Sequence, residues 1–395
     1  MQVYLDNAST TKMSRAAIEA MLPFYDEIYG NPSSLHRMGQ RAKEFLDKAR
    51  ETVAGCLGAS PGEIIFTSGG SEADNQAIIS AARYGARKGK KHIITTAFEH
   101  HAVLHTVGKL EKEGYDVTYL PVGKTGTVSA QQVSDAIRDD TCLVTVMTAN
   151  NEIGSVLPVK EIGAVCRERH VPFHTDAVQA VGHIPVNVAE MNIDMLSLSA
   201  HKFHGPKGVG VLYAKKGVPL SNIIEGGAQE KGKRAGTENL AGIAGLAAAL
   251  SEACAGLAGN MERISRLRDK LIAGLGSIPH SVLNGDRVNR LPGNVHFCFE
   301  GIEGESLLLL LDEYGVEASS GSACTSGSLD PSHVLLAIGH PHEIAHGSLR
   351  LTLSEYTTEE EIDYALQAVP KVVERLRGFS PVWRDKVNGI KPFIL

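Results

Sequence analysis

Four stretches of the 395-residue sequence crowd polar residues where a strand-like run ends, which is where open α/β sheets place their sites. The first runs from Thr67 through Gly69 and Gly70 to Ser71 and then enters a helical pattern. Backbone N–H groups and a hydroxyl at a helix N-terminus suit an anion such as a phosphate. The stretch lacks the lysine of a GxxxxGK[ST] loop and the spacing of GxGxxG, so a simple capped turn stays as the alternative.

The second and third stretches carry an acid and an amine. Asp176 closes an apolar run and is followed by Gln179; its carboxylate either caps the next helix or pairs with a buried cation. Lys202 lies between His201 and His204, after another apolar run and before a glycine-rich turn. A lysine in that position is difficult to interpret as a solvated charge. A crowded or desolvated lysine has a lowered pKa, and its amine is then a nucleophile toward carbonyl groups.

The fourth stretch is the Gly/Ser-rich segment 319–328, which has no helix or strand period and is predicted to be a mobile loop. It contains Cys324, and an exposed thiol on such a loop is a candidate nucleophile. A competing motif, HExxH at residues 342–346, matches a zinc-protease helix. Because Pro341 precedes it and Gly347 follows it, the helix is predicted to be too short for that function, and we reject the metalloprotease interpretation.

The elements that position these residues alternate between strand and helix from about residue 60 to 215, which predicts a mainly parallel sheet covered on both faces. The predicted strands cover residues 63–67, 92–96, 117–122, 142–148, 171–175, 194–199 and 208–214. The predicted helices between them include residues 72–87, 131–138 and 159–169. After residue 259 the order becomes helix, strand, helix, strand, helix, which predicts a smaller α+β domain.

The composition of the chain argues against two further classes of function, nucleic-acid binding and membrane insertion. The chain has 39 Lys+Arg and 45 Asp+Glu, a net charge of −6, and no basic run, which argues against a nucleic-acid binder. The start of the sequence has no signal-peptide pattern, and residues 240–259 are rich in Ala and Gly and include Glu252, which favours a closely packed helix over a membrane span. Six cysteines without a CxxC pair indicate reduced thiols, so we expect a cytoplasmic protein that binds no membrane.

These stretches together resemble the NifS-type cysteine desulfurases, pyridoxal-phosphate enzymes of fold type I within aminotransferase class V. The resemblance runs nearly end to end and covers residues 4–7, 30–34, 66–72, 99–100, 150–154, 174–179, 199–210, 234–239, 318–334 and 345–350. It implies an N-terminal arm (1–14) that joins the small domain. It also implies a large cofactor-binding α/β domain (15–258) with a mainly parallel seven-stranded sheet, and a smaller α+β domain (259–395) carrying the cysteine loop.

The resemblance implies a role for each site residue. Lys202 would hold pyridoxal 5'-phosphate as a Schiff base, Asp176 would pair with its ring nitrogen, and His100 would stack on the ring and act as an acid or base. The residues implied to hold the rest of the cofactor are Gln179 and Asn151 at the phenolic oxygen, Gly70, Ser71, Ser199 and His201 at the phosphate, and Thr237, which reaches the phosphate from a second subunit. Arg350 would bind the substrate carboxylate, with Asn31 and Asn151 at the same end.

The implied reaction releases sulfur from L-cysteine, leaving L-alanine and a persulfide on Cys324. A homodimer would pass the sulfur to an iron–sulfur scaffold protein. The loop and residues 379–383 suggest nitrogenase supply by resemblance. No resident metal is expected, although Cys324 could ligate a cluster during transfer.

The sequence departs from the family pattern at Ser71, where threonine is usual, and at its start, where Ser9 interrupts a DNAATT-like motif. Two rivals stay open. One is a related lyase or aminotransferase using the same lysine and aspartate, which would have no use for the loop thiol. The other is a sulfur carrier or assembly scaffold that binds no cofactor.

Overall fold

The computed structural model describes residues 1–321 and 331–395. Its strands are β1 (Val3–Tyr4), β2 (Ile64–Thr67), β3 (His92–Thr96), β4 (Asp116–Leu120), β5 (Thr141–Thr145), β6 (Phe173–Asp176), β7 (Met195–Ser199), β8 (Gly210–Ala214), β9 (Ser281–Leu283), β10 (Asn294–Phe299), β11 (Val316–Glu317) and β12 (Ser348–Thr352). Its helices are α1 (Arg15–Met21), α2 (Pro23–Asp26), α3 (Arg37–Leu57), α4 (Gly70–Ala86), α5 (His101–Lys112), α6 (Ala130–Ala136), α7 (Val159–Glu168), α8 (Gln229–Gly232), α9 (Leu240–Leu275), α10 (Gly304–Glu313), α11 (His333–Ala337), α12 (His342–Ala345), α13 (Glu359–Phe379) and α14 (Pro381–Val387).

The larger sheet has seven strands in the order β2-β8-β7-β6-β5-β3-β4. All its neighbouring pairs are parallel except those of β8, which runs antiparallel to β2 and to β7. Its inner strands are buried along their whole length, as expected for a sheet with helices on both faces. The mainly parallel seven-stranded sheet predicted from the sequence is therefore confirmed, and the ends of β2, β6 and β7 bring the first three polar stretches toward one edge.

A second core lies around a three-stranded antiparallel sheet, β12-β10-β9, and a parallel pair, β1 with β11. Val3 and Leu5 of the N-terminal arm are fully buried in this core, so the first residues of the chain pack with the last third of it. Hydrophobic residues of α10 and α13 complete the core. As the capping-box pattern predicts, the Thr358 hydroxyl accepts from the Glu361 N–H and the Glu361 carboxylate accepts from the Thr358 N–H.

Helix α9 joins the two cores. Its first half contributes Leu246 and Leu250 to the core beneath the large sheet, and its second half contributes Leu267 and Leu271 to the other. The predicted domain boundary at residue 259 thus falls inside one continuous helix. By length and composition α9 is apolar enough to cross a membrane, with a mean hydropathy of 1.6 in its most apolar window, half of which is buried. Such burial is typical of a core helix.

A buried ion pair fixes the segment before residue 237. Glu230 and Lys231 have left-handed backbone angles, φ 47° and 58°, which cost energy for residues with a side chain. The Arg50 guanidinium donates to both carboxylate oxygens of Glu230, at 2.7 and 2.6 Å, and the Phe66 N–H donates to the same carboxylate at 3.0 Å. These bonds offset the backbone strain and tie the segment to β2.

Glu230→Gln should lower the free energy of unfolding by about 3 kcal/mol, because it leaves the buried Arg50 charge without its carboxylate. Urea unfolding followed by circular dichroism measures the change. Glu19→Gln is the matched control, since Glu19 pairs with Arg15 at 2.7 Å on an exposed helix face, where ion pairs contribute little. Equal unfolding midpoints for Glu230→Gln and the unmutated protein would show that the buried pair does not stabilise the fold.

Candidate active site

Asp176, the last residue of β6, forms the floor of the site. Its side chain is 6% exposed, and one carboxylate oxygen accepts from the Val178 N–H at 2.9 Å. Burial raises the pKa of Asp176, whereas the nearby His100 and Lys202 and the Val178 bond lower that pKa. The carboxylate caps the following turn, as one of the two sequence interpretations predicted, and Lys202 lies near enough to lower its pKa.

Lys202 ends a short 3₁₀ turn (Ala200–Lys202) that directly follows β7. Its amine donates to the carbonyl oxygens of Ala8 and Ser9, at 2.7 and 2.8 Å. The Gln179 amide donates to the same Ala8 carbonyl at 3.0 Å. The N-terminal arm therefore reaches across the molecule to hold the amine on the Asp176 side of the sheet, a contact that sequence reasoning did not anticipate.

The Gly69-Gly70 turn forms an anion cradle at the start of α4. Gly69 caps the helix without a side chain, so the first N–H groups are left for another acceptor. A Cβ on Gly70 would lie 2.6 Å from a methyl group of Val178, and a Cβ on Gly69 would lie 3.7 Å from the Ser199 hydroxyl. The close contact at position 70 requires glycine, and the φ of 156° at Gly69 favours glycine there too. The contact at Gly69 places Ser199 beside the cradle. The exposed hydroxyl of Ser71 extends the same turn.

His201 is the remaining residue predicted for this end of the site. Burial, and then the charges of Lys202 and Lys207, lower the pKa of His201 to about 4, so its ring is neutral at neutral pH. One ring nitrogen lies 3.1 Å from the Thr10 hydroxyl. A neutral imidazole here can donate a hydrogen bond to a phosphate but adds no charge to the cradle.

Arg350 on β12 is 2% exposed. Its guanidinium donates to the Asp6 carboxylate at 2.8 Å, to the Ser9 hydroxyl at 2.7 Å and to the Asn151 carbonyl at 3.0 Å. Its Nε is buried with no hydrogen-bond partner in the described part of the chain. The N-terminal arm thus holds the arginine in one orientation. The Asp6 carboxylate accepts a hydrogen bond from the same guanidinium that is predicted to bind the substrate carboxylate.

The described residues do not cover the whole predicted site. His100 lies at the start of α5, where its ring accepts from the Ala102 N–H at 3.1 Å. Asn31 and Thr237 lie on exposed loops, and the Asn31 side chain accepts from the Ser33 N–H at 2.9 Å. Their predicted roles stay predictions. Cys324 and residues 322–330 of its loop lie outside the described residues, so the mobility expected for that loop stays a prediction as well.

Sequence reasoning missed two buried acids near Asp176. Glu99 accepts from the Thr96 hydroxyl at 2.6 Å and from the Met147 N–H at 3.0 Å, and burial raises its pKa to about 8. Asp74 on α4 is 1% exposed. Its spacing to Ala77, Ile78 and Ala81 is the sequence signal that could have identified it, because an acidic residue on the apolar face of a helix is rarely present without a specific role.

This geometry fits a phosphorylated aromatic ring with a basic nitrogen. The uncapped N-terminus of α4 suits the phosphate, the buried Asp176 suits the ring nitrogen, and the Lys202 amine lies on the same edge of the sheet. All three come from ends of neighbouring elements, as expected for an open α/β sheet.

Comparison with known proteins agrees with this geometry. The family model for aminotransferase class V matches residues 3–365. The chain is 56% identical over 391 residues to a cysteine desulfurase IscS of Clostridium botulinum, covering 98% of each chain. Its structure is similar to that of a NifS-like protein (TM-score 0.90, 40% identity, 95% of this chain and 100% of the other). It is also similar to SspA in complex with cysteine (TM-score 0.80, 38% identity, 90% and 100%).

Proposed function

The chain belongs to the aminotransferase class V family and is a NifS-type cysteine desulfurase, and on that premise we propose that it converts L-cysteine to L-alanine and carries the sulfur as a persulfide on Cys324. The observation that carries the proposal is the Lys202 amine beside a buried Asp176 at the carboxyl edge of a parallel sheet. A structural relative that binds cysteine supports the choice of substrate.

We propose pyridoxal 5'-phosphate as the cofactor, because the residues present fit it. Asp176 and His100 would hold the ring, Gln179 and Asn151 its phenolic oxygen, and the α4 cradle with Ser199 and His201 its phosphate. When bound, this cofactor withdraws electrons from the Cα of the amino acid. Asp176 supports that withdrawal, because an ionised carboxylate next to the ring nitrogen favours its protonated form.

The residues of the chain supply the remaining steps. Arg350 binds the substrate carboxylate, and the planar guanidinium allows two parallel hydrogen bonds. The Lys202 amine, held near the arm carbonyls, takes and returns the Cα proton. The Cys324 thiolate attacks the sulfur of L-cysteine: a sulfur–sulfur bond forms, the Cβ–S bond breaks, and its electron pair stays with the three-carbon fragment. Protonation of that fragment yields alanine and leaves the persulfide on Cys324.

The acceptor proposed for this sulfur is an iron–sulfur scaffold protein in the cytoplasm. The name IscS among the relatives supports assembly of iron–sulfur clusters as the general role. Nitrogenase maturation as the destination is a finer proposal and rests on the resemblance of the cysteine loop and residues 379–383 to NifS. Sulfur transfer from the persulfidated protein to purified scaffold proteins of each kind would separate the two.

The activity itself is tested with the purified chain, pyridoxal 5'-phosphate and L-cysteine. Equal amounts of alanine and transferred sulfur, together with borohydride-fixed label on the Lys202 peptide, are expected. Transfer of the amino group of L-alanine to a keto acid at a higher rate than desulfuration would instead indicate an aminotransferase. A protein that binds no cofactor and accepts sulfur only from other persulfides would be a carrier.

We further propose a homodimer in which Thr237 reaches the phosphate bound by the other subunit. Thr237→Ala should then lower cofactor affinity about tenfold, the effect of losing one hydrogen bond to a charged group. Mixing inactive Lys202→Ala with Thr237→Ala subunits should restore activity at limiting cofactor, because one site of each mixed dimer has both residues. No gain on mixing, or a fully active monomer in analytical ultracentrifugation, would contradict the shared site.

A further inference from the structure

Asp74 is a buried acid for which the proposed mechanism has no role. It lies on α4, three residues after Ser71 of the phosphate cradle, and its side chain is 1% exposed. One of its carboxylate oxygens is buried without a hydrogen-bond partner in the described part of the chain. A buried polar atom without a partner is costly, so its position calls for an explanation.

Its near neighbour is the acid predicted to bind the ring nitrogen. A carboxylate oxygen of Asp74, one of Asp176 and a ring nitrogen of His100 all lie within 4.8 Å of one another. Asp74 and Asp176 are 1% and 6% exposed, so little water is present to screen the repulsion between two ionised carboxylates. Two carboxylates this close in a protein interior do not both ionise, and the pair must hold a proton.

The surrounding groups decide which acid holds the proton. Burial raises the pKa of Asp176, but His100, the Val178 N–H at 2.9 Å and Lys202 all oppose that rise. Burial raises the pKa of Asp74 well above its usual range, the neighbouring Asp176 carboxylate raises it further, and the Ser197 hydroxyl opposes them.

His174, a second ring close to Asp74, does not supply a compensating charge. Its Nε2 lies 3.6 Å from Asp74, and its two nitrogens lie 2.8 and 3.0 Å from the hydroxyls of Thr145 and Ser197. Burial lowers the pKa of His174 to about 3, so the ring is neutral. Among the described residues, Asp74 thus has fewer groups that favour its ionised form than Asp176 has.

We infer that Asp74 is a neutral carboxylic acid that holds the proton of the Asp74–Asp176 pair and so keeps Asp176 ionised for the ring nitrogen. This inference rests on the proposed function in one respect only, namely that the ring bound by Asp176 is that of pyridoxal 5'-phosphate. Asp74 is thus a positioning residue that acts through Asp176. It also explains how an aspartate beside the neutral ring of His174 is tolerated on the buried face of α4.

Infrared difference spectroscopy of the purified protein tests the protonation state without relying on turnover. At neutral pH the unmutated protein minus Asp74→Asn should show the carbonyl stretch of a protonated carboxyl. Glu99→Gln is the control for the other titratable acid of the region. A difference spectrum with only ionised carboxylate bands would show that Asp74 is charged and would overturn the inference, whether or not the protein binds cofactor.

Affinity for pyridoxal 5'-phosphate tests the positioning role. Asp74→Asn replaces a neutral carboxyl donor by a neutral amide donor, so the dissociation constant for pyridoxal 5'-phosphate should change less than about threefold. Asp74→Val fills similar space but donates nothing, and should weaken binding about tenfold, the effect expected for losing a donor near a charged group. Thermal unfolding of the cofactor-free variants checks that both fold.

The two variants exclude the simpler roles for Asp74. If Asp74→Val bound cofactor as well as the unmutated protein, Asp74 would only fill space. If Asp74→Asn bound it as weakly as Asp74→Val, the aspartate would act as an ion. Either result contradicts the inference, and an unmutated protein that binds no pyridoxal phosphate would instead contradict the proposed function.

Discussion

Lys202→Ala abolishes the production of alanine from L-cysteine, with an expected loss of at least about 10³-fold. The size follows from removing a nucleophile and a proton-transfer group in one side chain. The α4 cradle and Asp176 are unchanged, so the variant should still bind pyridoxal 5'-phosphate, although borohydride can no longer fix it to the chain.

Alanine measured by chromatography after single and multiple turnovers checks this result. Lys207→Ala is the matched control, because Lys207 lies five residues further along the chain and is exposed. Lys202→Arg keeps the positive charge near Asp176 and separates the charge of the amine from its chemistry. Alanine production above a trace in clean Lys202→Ala would remove the lysine from the mechanism.

Cys324→Ala should stop sulfur transfer while leaving cofactor binding intact, because the residues proposed to hold the cofactor lie elsewhere in the chain. After incubation with L-cysteine, the unmutated protein should gain the mass of one sulfur on the peptide containing Cys324, and the variant should not. Serine and threonine cannot form a persulfide, so no other residue of the 319–328 segment can substitute.

Cys56→Ala is the control for this experiment, since Cys56 is half-buried and carries a thiol of its own. Its sulfur gain on the Cys324 peptide should match that of the unmutated protein. If sulfur left as sulfide without help from the chain, the Cys324 peptide would show no added mass. Cys324→Ala would then make alanine at the unmutated rate, and the loop thiol would be a bystander.

The sheet and the residues at its edge were predictable because both depend on local patterns. Apolar runs alternate with helical spacing, and Asp176 and Lys202 directly follow such runs, so their shared edge follows from parallel pairing. The contacts of Lys202 with Ala8 and of Arg350 with Asp6 join residues about 200 and 340 positions apart in sequence. No local pattern specifies such pairs.

Asp74 was hidden for a different reason. Its spacing to Ala77, Ile78 and Ala81 places it on the apolar face of α4, but a single acid is easily taken for a surface position until the packing of α4 against the sheet shows that this face is buried. The clustering of Asp74, Asp176 and His100 depends on how three elements are placed relative to one another. The spacing of residues along the sequence does not specify that placement.

The contacts of the N-terminal arm determine the order in which parts of this protein can fold during translation. Val3 and Asp6 leave the ribosome more than 300 residues before their partners Val316 and Arg350. At typical elongation rates that interval is on the order of half a minute. A nascent chain can build the parallel sheet during this time, but the Arg350 guanidinium and the N-terminal arm reach their final arrangement only after residue 350 has emerged. The enzyme can therefore complete its reactive centre only after its parallel sheet has had time to fold.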